Sequence, residues 1–168
     1  PITIKSDPTY INTGVVLDAA SRCRYSLAQC HNFVDKIALG EVLPDDVIFL
    51  QDFWTPGFDS VLYALDLYNL KSVRIYSMLH AQSVDEYDFT WDSRSWMRGI
   101  ETSLASRHSG IFVGSTIHRD QLRNAGFACP IHVLSLPINS KFFSSIYSFT
   151  STLLDFILAF QSILEASS

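Results

Sequence analysis

The chain contains no run of Lys or Arg, and its 12 basic residues are outnumbered by 17 acidic ones. A net charge of −5 argues against a partner held mainly through a phosphate backbone, which needs a basic face. Cysteine is scarce: Cys23, Cys30 and Cys129 give an odd count with no CxxC spacing. On a helix Cys23 and Cys30 stand about 10 Å apart, too far for a disulfide. The thiols are therefore expected to be buried, hydrophobe-like groups in a reducing compartment. The His and Cys spacings fit no zinc-ligand pattern, so no metal site is expected. Four signatures of familiar chemistry are also missing: GxGxxG after a strand, GxxxxGK(S/T), GxSxG and HExxH. Nicotinamide dehydrogenases, P-loop NTPases, ordinary serine hydrolases and zinc proteases are each demoted. The opening PITIKSDPTY has neither the basic nor the apolar region of a secretory signal, and a cytoplasmic location is the expectation.

What the chain does have is apolar content, 48% against 17% charged, over a length that suits one globular domain. Residues 1–5 read as a short edge strand. Across 15–39 the apolar positions Val16, Ala19, Cys23, Leu27, Cys30, Val34 and Ile37 recur at three- and four-residue steps, which predicts an amphipathic helix closed by Gly40. The run 47–50 is continuously apolar and reads as a strand buried on both faces. A helix is expected over 58–68, a second strand over 73–80, and a helix capped by Asp92 or Ser93 running to about Arg107. A third strand falls at 111–114, a helix capped by Ser115 or Thr116 follows to Ala125 and Gly126, and a fourth strand falls at 131–134. Strands alternating with helices at this spacing predict parallel crossover units. The expected architecture is α/β, a Rossmann-like, doubly wound, mostly parallel sheet over 1–141.

The tail, 142–168, changes character. Between 142 and 164 the only charged residue is Asp155. That stretch reads as an apolar C-terminal helix packed on the domain or offering a self-association surface. Its Ser and Thr content, Asp155 and the lack of flanking cations disfavour membrane contact.

In parallel sheets of this kind, ligands bind beyond the carboxyl ends of the strands. After the first strand come Gln51, Asp52 and Trp54; after the second, His80, Gln82, Asp85 and Asp88; after the third, Ser115 and Thr116, with His118 one turn on. All are expected on one rim. Asp52 and Ser115 also suit plain capping roles, Asp85 and Asp88 suit a solvated loop, and His80 suits a structural histidine. An imidazole at His80 could orient a sugar hydroxyl or meet a diphosphate, with a neighbouring carboxylate keeping it suitably protonated.

The strings DVIFLQDFWTPGFDSVLYAL and IYSMLHAQSVDEYDFT, a W-x4-E at Trp96 and Glu101, and then GIFVGSTIHRDQLRNAGF and IHVLSLPIN, resemble the N-terminal domain of GT-B glycosyltransferases, family 4-like in flavour. The resemblance spans about 46–139. It implies two Rossmann-like domains with the active site between them, the acceptor on the N-terminal half and the nucleotide-sugar on the other. It further implies retention of anomeric configuration, no bound metal, and no cofactor beyond the nucleotide-sugar as co-substrate. His80 matches the family's strand-end His, set against the donor sugar and its phosphates, and Ser115 matches a Ser near the cleft; Asp85 is the carboxylate expected to work beside His80. The glycine-rich first loop of the family has only Asn12-Thr13-Gly14 as a counterpart. Nothing in 142–168 looks like a donor-binding domain, so such a domain is an expected partner, with a homo-oligomer through the tail as the other. The competing expectation is a binding or assembly module of the same fold that has lost glycosyl transfer. A distinct small-molecule enzyme is a third.

Overall fold

A computed structural model describes residues 2–11 and 18–134. Four helices, α1 (Ala19–Ala38), α2 (Phe58–Leu67), α3 (Arg94–Ala105) and α4 (Thr116–Asn124), alternate with four strands. The strands are β1 (Val47–Leu50), β2 (Arg74–Met78), β3 (Gly110–Val113) and β4 (Ile131–Val133). They form one sheet in the order β1-β2-β3-β4, and every neighbouring pair is parallel. The α/β class and the parallel sheet expected from the sequence are therefore present.

Helix ends follow local chemistry closely. Asp18 caps α1, its carboxylate accepting from the amides of Ala20 at 3.1 Å and Ser21 at 3.2 Å. Three helices stop in the same way. Gly40, Asn69 and Gly126 take positive φ after α1, α2 and α4. The next amide reaches back to the carbonyl five residues earlier, in the pairs Glu41 to Lys36, Leu70 to Leu65 and Phe127 to Leu122. This is the Schellman closure. In two cases its partners, Leu65 with Leu70 and Leu122 with Phe127, are themselves core residues.

Register puts Ile48, Ile75, Ser77, Ile111, Val113 and Ile131 on one side of the sheet, and all are buried. Under this side lie two apolar clusters. One joins Cys30 and Ile37 of α1 with Ile48, Phe58, Val61, Leu65 and Ile75. The other gathers Phe53, Leu79, Val84, Ala105, Ile111, Val113, Leu122 and Phe127. Each fully buried side chain of this size stabilises the fold by about 1.5–3 kcal/mol. The opposite side carries Val47 and Phe49, 53% and 54% exposed, beside Tyr76, Phe112 and His132. Phe112 lies centrally there, with ring centroids 6.2 Å from Phe49, 6.1 Å from Tyr76 and 5.3 Å from His132.

This one-sidedness corrects two expectations. The strands follow one another without the reversal of order that a doubly wound sheet has, so the doubly wound element is not met among the described residues. Right-handed crossovers in a monotonic order put successive helices on one face. For the same reason β1 is buried on one face and not on two. The stripe on α1 is also displaced. Ala19, Cys23 and Leu27 are exposed, and burial falls on Ser26, Cys30 and Ile37 with Phe33 and Val34 packed beside them. The helix packs on α2 and the edge of the sheet, and that contact fixes which face turns inward. Cys30 is buried as expected, with its thiol pushed up to about 11 by loss of water, whereas Cys23 is exposed and Cys129 half-buried. Residues 2–5 pair with no strand; instead Gln29 and Asn32 of α1 donate to the carbonyls of Ile4 and Lys5 at 2.6 and 2.9 Å. Among the described residues no helix is long and apolar enough to cross a membrane. The expected helical tail and the Asn12-Thr13-Gly14 loop lie outside the described residues.

Candidate functional site

Parallel strands deliver their following residues to one end of the sheet, and the loops after β1, β2 and β3 meet there through named contacts. The lattice runs a little past the strands: the Phe53 amide donates to the Met78 carbonyl at 2.8 Å, and the Leu79 amide to the Phe112 carbonyl at 2.9 Å. These bonds bury Phe53 and Leu79 and turn their neighbours outward. His80 emerges exposed, and its Nε2 lies 3.3 Å from the Gln51 carbonyl. A carbonyl only accepts, so Nε2 carries the proton; in the neutral ring the lone pair then sits on Nδ1.

Asp52 ties three elements together. One carboxylate oxygen pairs with the Arg22 guanidinium from α1; the other accepts from the Trp54 amide at 3.1 Å and the Gln82 side-chain amide at 3.3 Å. Gln82 is buried and holds a left-handed backbone, φ 64°, an uncommon state for a residue with a Cβ. Its side-chain carbonyl accepts from the Ala81 amide at 3.0 Å. The Ala81 carbonyl in turn accepts from Nε2 of the buried His118 at 3.1 Å. Burial depresses the affinity of His118 for a second proton; the Ala81 carbonyl and the Asp85 charge oppose that effect, while His80 adds to it. His118 therefore feels the charges of both Asp85 and His80.

Ser115 caps α4, its hydroxyl accepting from the His118 amide at 3.1 Å. Thr116, the first residue of α4, is exposed beside it. Asp85 and Asp88 lie in the same loop, yet each folds onto its own backbone: Asp85 accepts from the Tyr87 amide at 2.9 Å and Asp88 from the Thr90 amide at 2.7 Å. Named contacts thus link Gln51, Asp52, Trp54, His80, Gln82, Ser115 and His118. Asp85, Asp88 and Thr116 border the rim without a side-chain contact to these residues.

Three residues outside the expected set, Arg22, Glu101 and Arg98, complete the arrangement. Arg22 appears because α1 passes beside the β1 loop, a contact that no local spacing announces. Glu101, fully buried on α3, accepts the Ser83 hydroxyl and also its amide at 3.3 Å. Arg98 donates to the Ser83 carbonyl at 2.7 Å. Burial raises the proton affinity of the Glu101 carboxyl, against the lowering effects of the Ser83 bonds and Arg98. The W-x4-E spacing was its one sequence signal. Together Glu101 and Arg98 pin the turn at Ser83 that follows Gln82.

A groove of about 1010 Å³ leads from residues 2–5 and α1 along β1 to this rim, ending on Gln51, Asp52, Trp54 and Thr55. At its mouth Trp54 meets Trp96 edge to face, ring centroids 6.4 Å apart. The arrangement offers an exposed imidazole with a free acceptor nitrogen, a carboxylate and amides at fixed positions, and an aromatic wall. Among the described residues no three His, Cys, Asp or Glu side chains converge as a metal ion would require. No protein-family model matches the chain, and neither a curated protein nor a solved structure matches it.

Proposed function

We propose that residues 2–134 form a Rossmann-like half of a GT-B-type glycosyltransferase that presents the acceptor, with the nucleotide-sugar held by a donor-binding domain not contained in these residues. The observation that carries the reading is the exposed His80 at the end of β2, oriented through Nε2 by the Gln51 carbonyl and facing the rim that Asp52, Gln82 and His118 build. In the transfer, an acceptor hydroxyl forms a bond to the anomeric carbon as the bond to the nucleoside diphosphate breaks. The hydroxyl proton leaves with the departing diphosphate. His80 positions the sugar and its phosphates through Nδ1, which donates when the ring is protonated and accepts when it is neutral. Asp52 and Gln82 hold the loops that set its height.

The test combines binding and turnover. UDP-, GDP- and ADP-glucose are titrated into the chain by thermal shift, and transfer is then measured with and without a family 4 donor-binding domain. Transfer that needs the added domain and falls by about a hundredfold in His80→Ala supports the reading. Transfer by the isolated chain, or transfer indifferent to His80→Ala, overturns it.

A further inference from the structure

Among the described residues β1 is an edge strand, with β2 on one side only. The register is fixed where the Arg74 amide donates to the Asp46 carbonyl at 3.0 Å, which turns the backbone groups of Ile48 toward β2. Alternation along the strand then turns the amides and carbonyls of Val47 and Phe49 the other way. Among the described residues nothing bonds to these four groups. Such an edge is a template for another strand, and proteins usually blunt one with Lys, Pro or a covering segment. Val47–Leu50 contains neither residue, and its Val, Ile and Phe are strongly β-prone.

Residues 2–5 do not fill the position. Their carbonyls are held to α1, Ile4 by Gln29 and Lys5 by Asn32, so the segment forms the far wall of the groove that follows the edge. Tyr25 and Phe33 of α1, both half-buried, also line it. A strand takes about 4.8 Å across a sheet, about 10 Å through it and about 3.3 Å along it per residue, roughly 160 Å³ for each. The 1010 Å³ of the groove therefore corresponds to about six residues.

The charges select further. Arg22 pairs with Asp52 and Lys36 with Glu41, whereas Lys5 has no acidic partner among the described residues. Arg22 meets the loop after β1, and Asn32 stands about 15 Å further along α1. Lys5, held at Asn32, thus lies toward the start of β1.

We infer that the groove along β1 takes an extended segment of another protein, about six residues long, paired through its backbone to Val47 and Phe49. Apolar side chains of that segment lie over Tyr25 and Phe33, and a carboxylate at one end meets Lys5. This goes beyond the transferase reading and stands without it.

The intact chain is titrated against two fluorescein-labelled hexapeptides, Asp-Val-Thr-Val-Thr-Val and its reverse, while anisotropy is followed. Saturable binding of at least one is expected, the acid-first peptide reporting a parallel strand and the acid-last peptide an antiparallel one. N-methylation of one alternate set of peptide amides, the set facing β1, should weaken binding about tenfold or more, and methylation of the other set much less. Val47→Pro removes an amide that makes no ladder bond, a change edge strands tolerate, and should weaken binding severalfold. Thermal melts identify a variant that fails to fold, and the methylated peptides then carry the comparison. Lys5→Glu should weaken binding about threefold, and a peptide with Lys in place of Asp should recover that loss. No saturation with either peptide, or affinity indifferent to both methylated sets or to Lys5→Glu, overturns the inference. So does a chain that dimerises in sedimentation and loses the dimer with Val47→Pro, since a second copy then occupies the edge.

Discussion

Glu101 accepts two hydrogen bonds from Ser83, one from the hydroxyl and one from the amide, although the two residues are 18 apart in the chain. The carboxyl is completely buried, and it fixes the turn that follows the strained Gln82.

Its burial gives a pH signature. The folded carboxyl binds its proton more tightly than the ordinary 4.5, so the folded state holds more protons than the unfolded one above that pH. Stability from this group is complete below about pH 4.5 and declines as pH rises through the higher folded value. Glu101→Gln keeps an oxygen acceptor for Ser83 and removes the ionisation. Urea unfolding at pH 4.5 and pH 8 should show the variant gaining on the parent as pH rises. Glu101→Leu leaves both Ser83 donors unpaired and should cost about 1–3 kcal/mol at either pH.

His108 and His118 act in the opposite sense. Burial pushes both below the ordinary 6.5, so each folds as the neutral ring. Stability is held above pH 6.5 and lost as pH falls through the depressed folded values, with a limiting slope of about 1.4 kcal/mol per pH unit for each proton. His118→Gln, whose amide can still donate to the Ala81 carbonyl, should remove one proton from that slope. Melting temperatures followed from pH 7.5 to 5 measure it.

At Gln82 the backbone and the side chain make separate contributions. Gln82→Ala keeps the left-handed strain and loses the bonds to the Ala81 amide and to Asp52. Gln82→Gly loses the same bonds and relieves the strain, worth about 1–2 kcal/mol. Glycine should therefore be the milder change by about 1 kcal/mol in chemical denaturation, despite its greater freedom in the unfolded chain.

Gly57, just before α2, has φ 88°, and a Cβ there would lie 2.9 Å from a Leu27 methyl. Leu27 is half-exposed and can swing aside, so the backbone sets the cost. Gly57→Ala should destabilise by about 1–2 kcal/mol, with Leu27→Ala in the same background restoring little of it. Unfolding midpoints of the single and double variants decide between backbone and packing.

The sequence carried the elements well because their signals are local. β1 falls where its apolar run predicts, Ser115 caps α4, and Gly40 and Gly126 close their helices. The parallel pairing also followed from the alternation of strands and helices. What was not legible is which face of each element turns inward. Leu27 and Cys23 fit the apolar period of α1 as well as Cys30 does, but only packing on α2 chooses between them. Val47 and Phe49 look like interior residues and lie on the uncovered side of the sheet. At the site, grouping by strand end brought Asp52, His80, Gln82 and His118 together. It gave no hint of Arg22, which arrives from an earlier helix, nor that Asp85 and Asp88 spend an oxygen each on their own turns.

The strand order has one more consequence. Among the described residues each strand pairs with the one made just before it, and none waits for a later strand to fill a gap between earlier neighbours. Closing distances along the backbone stay short, which favours rapid assembly. The sheet can therefore be laid down from β1 outward as the ribosome releases it, with synthesis and assembly running in the same direction.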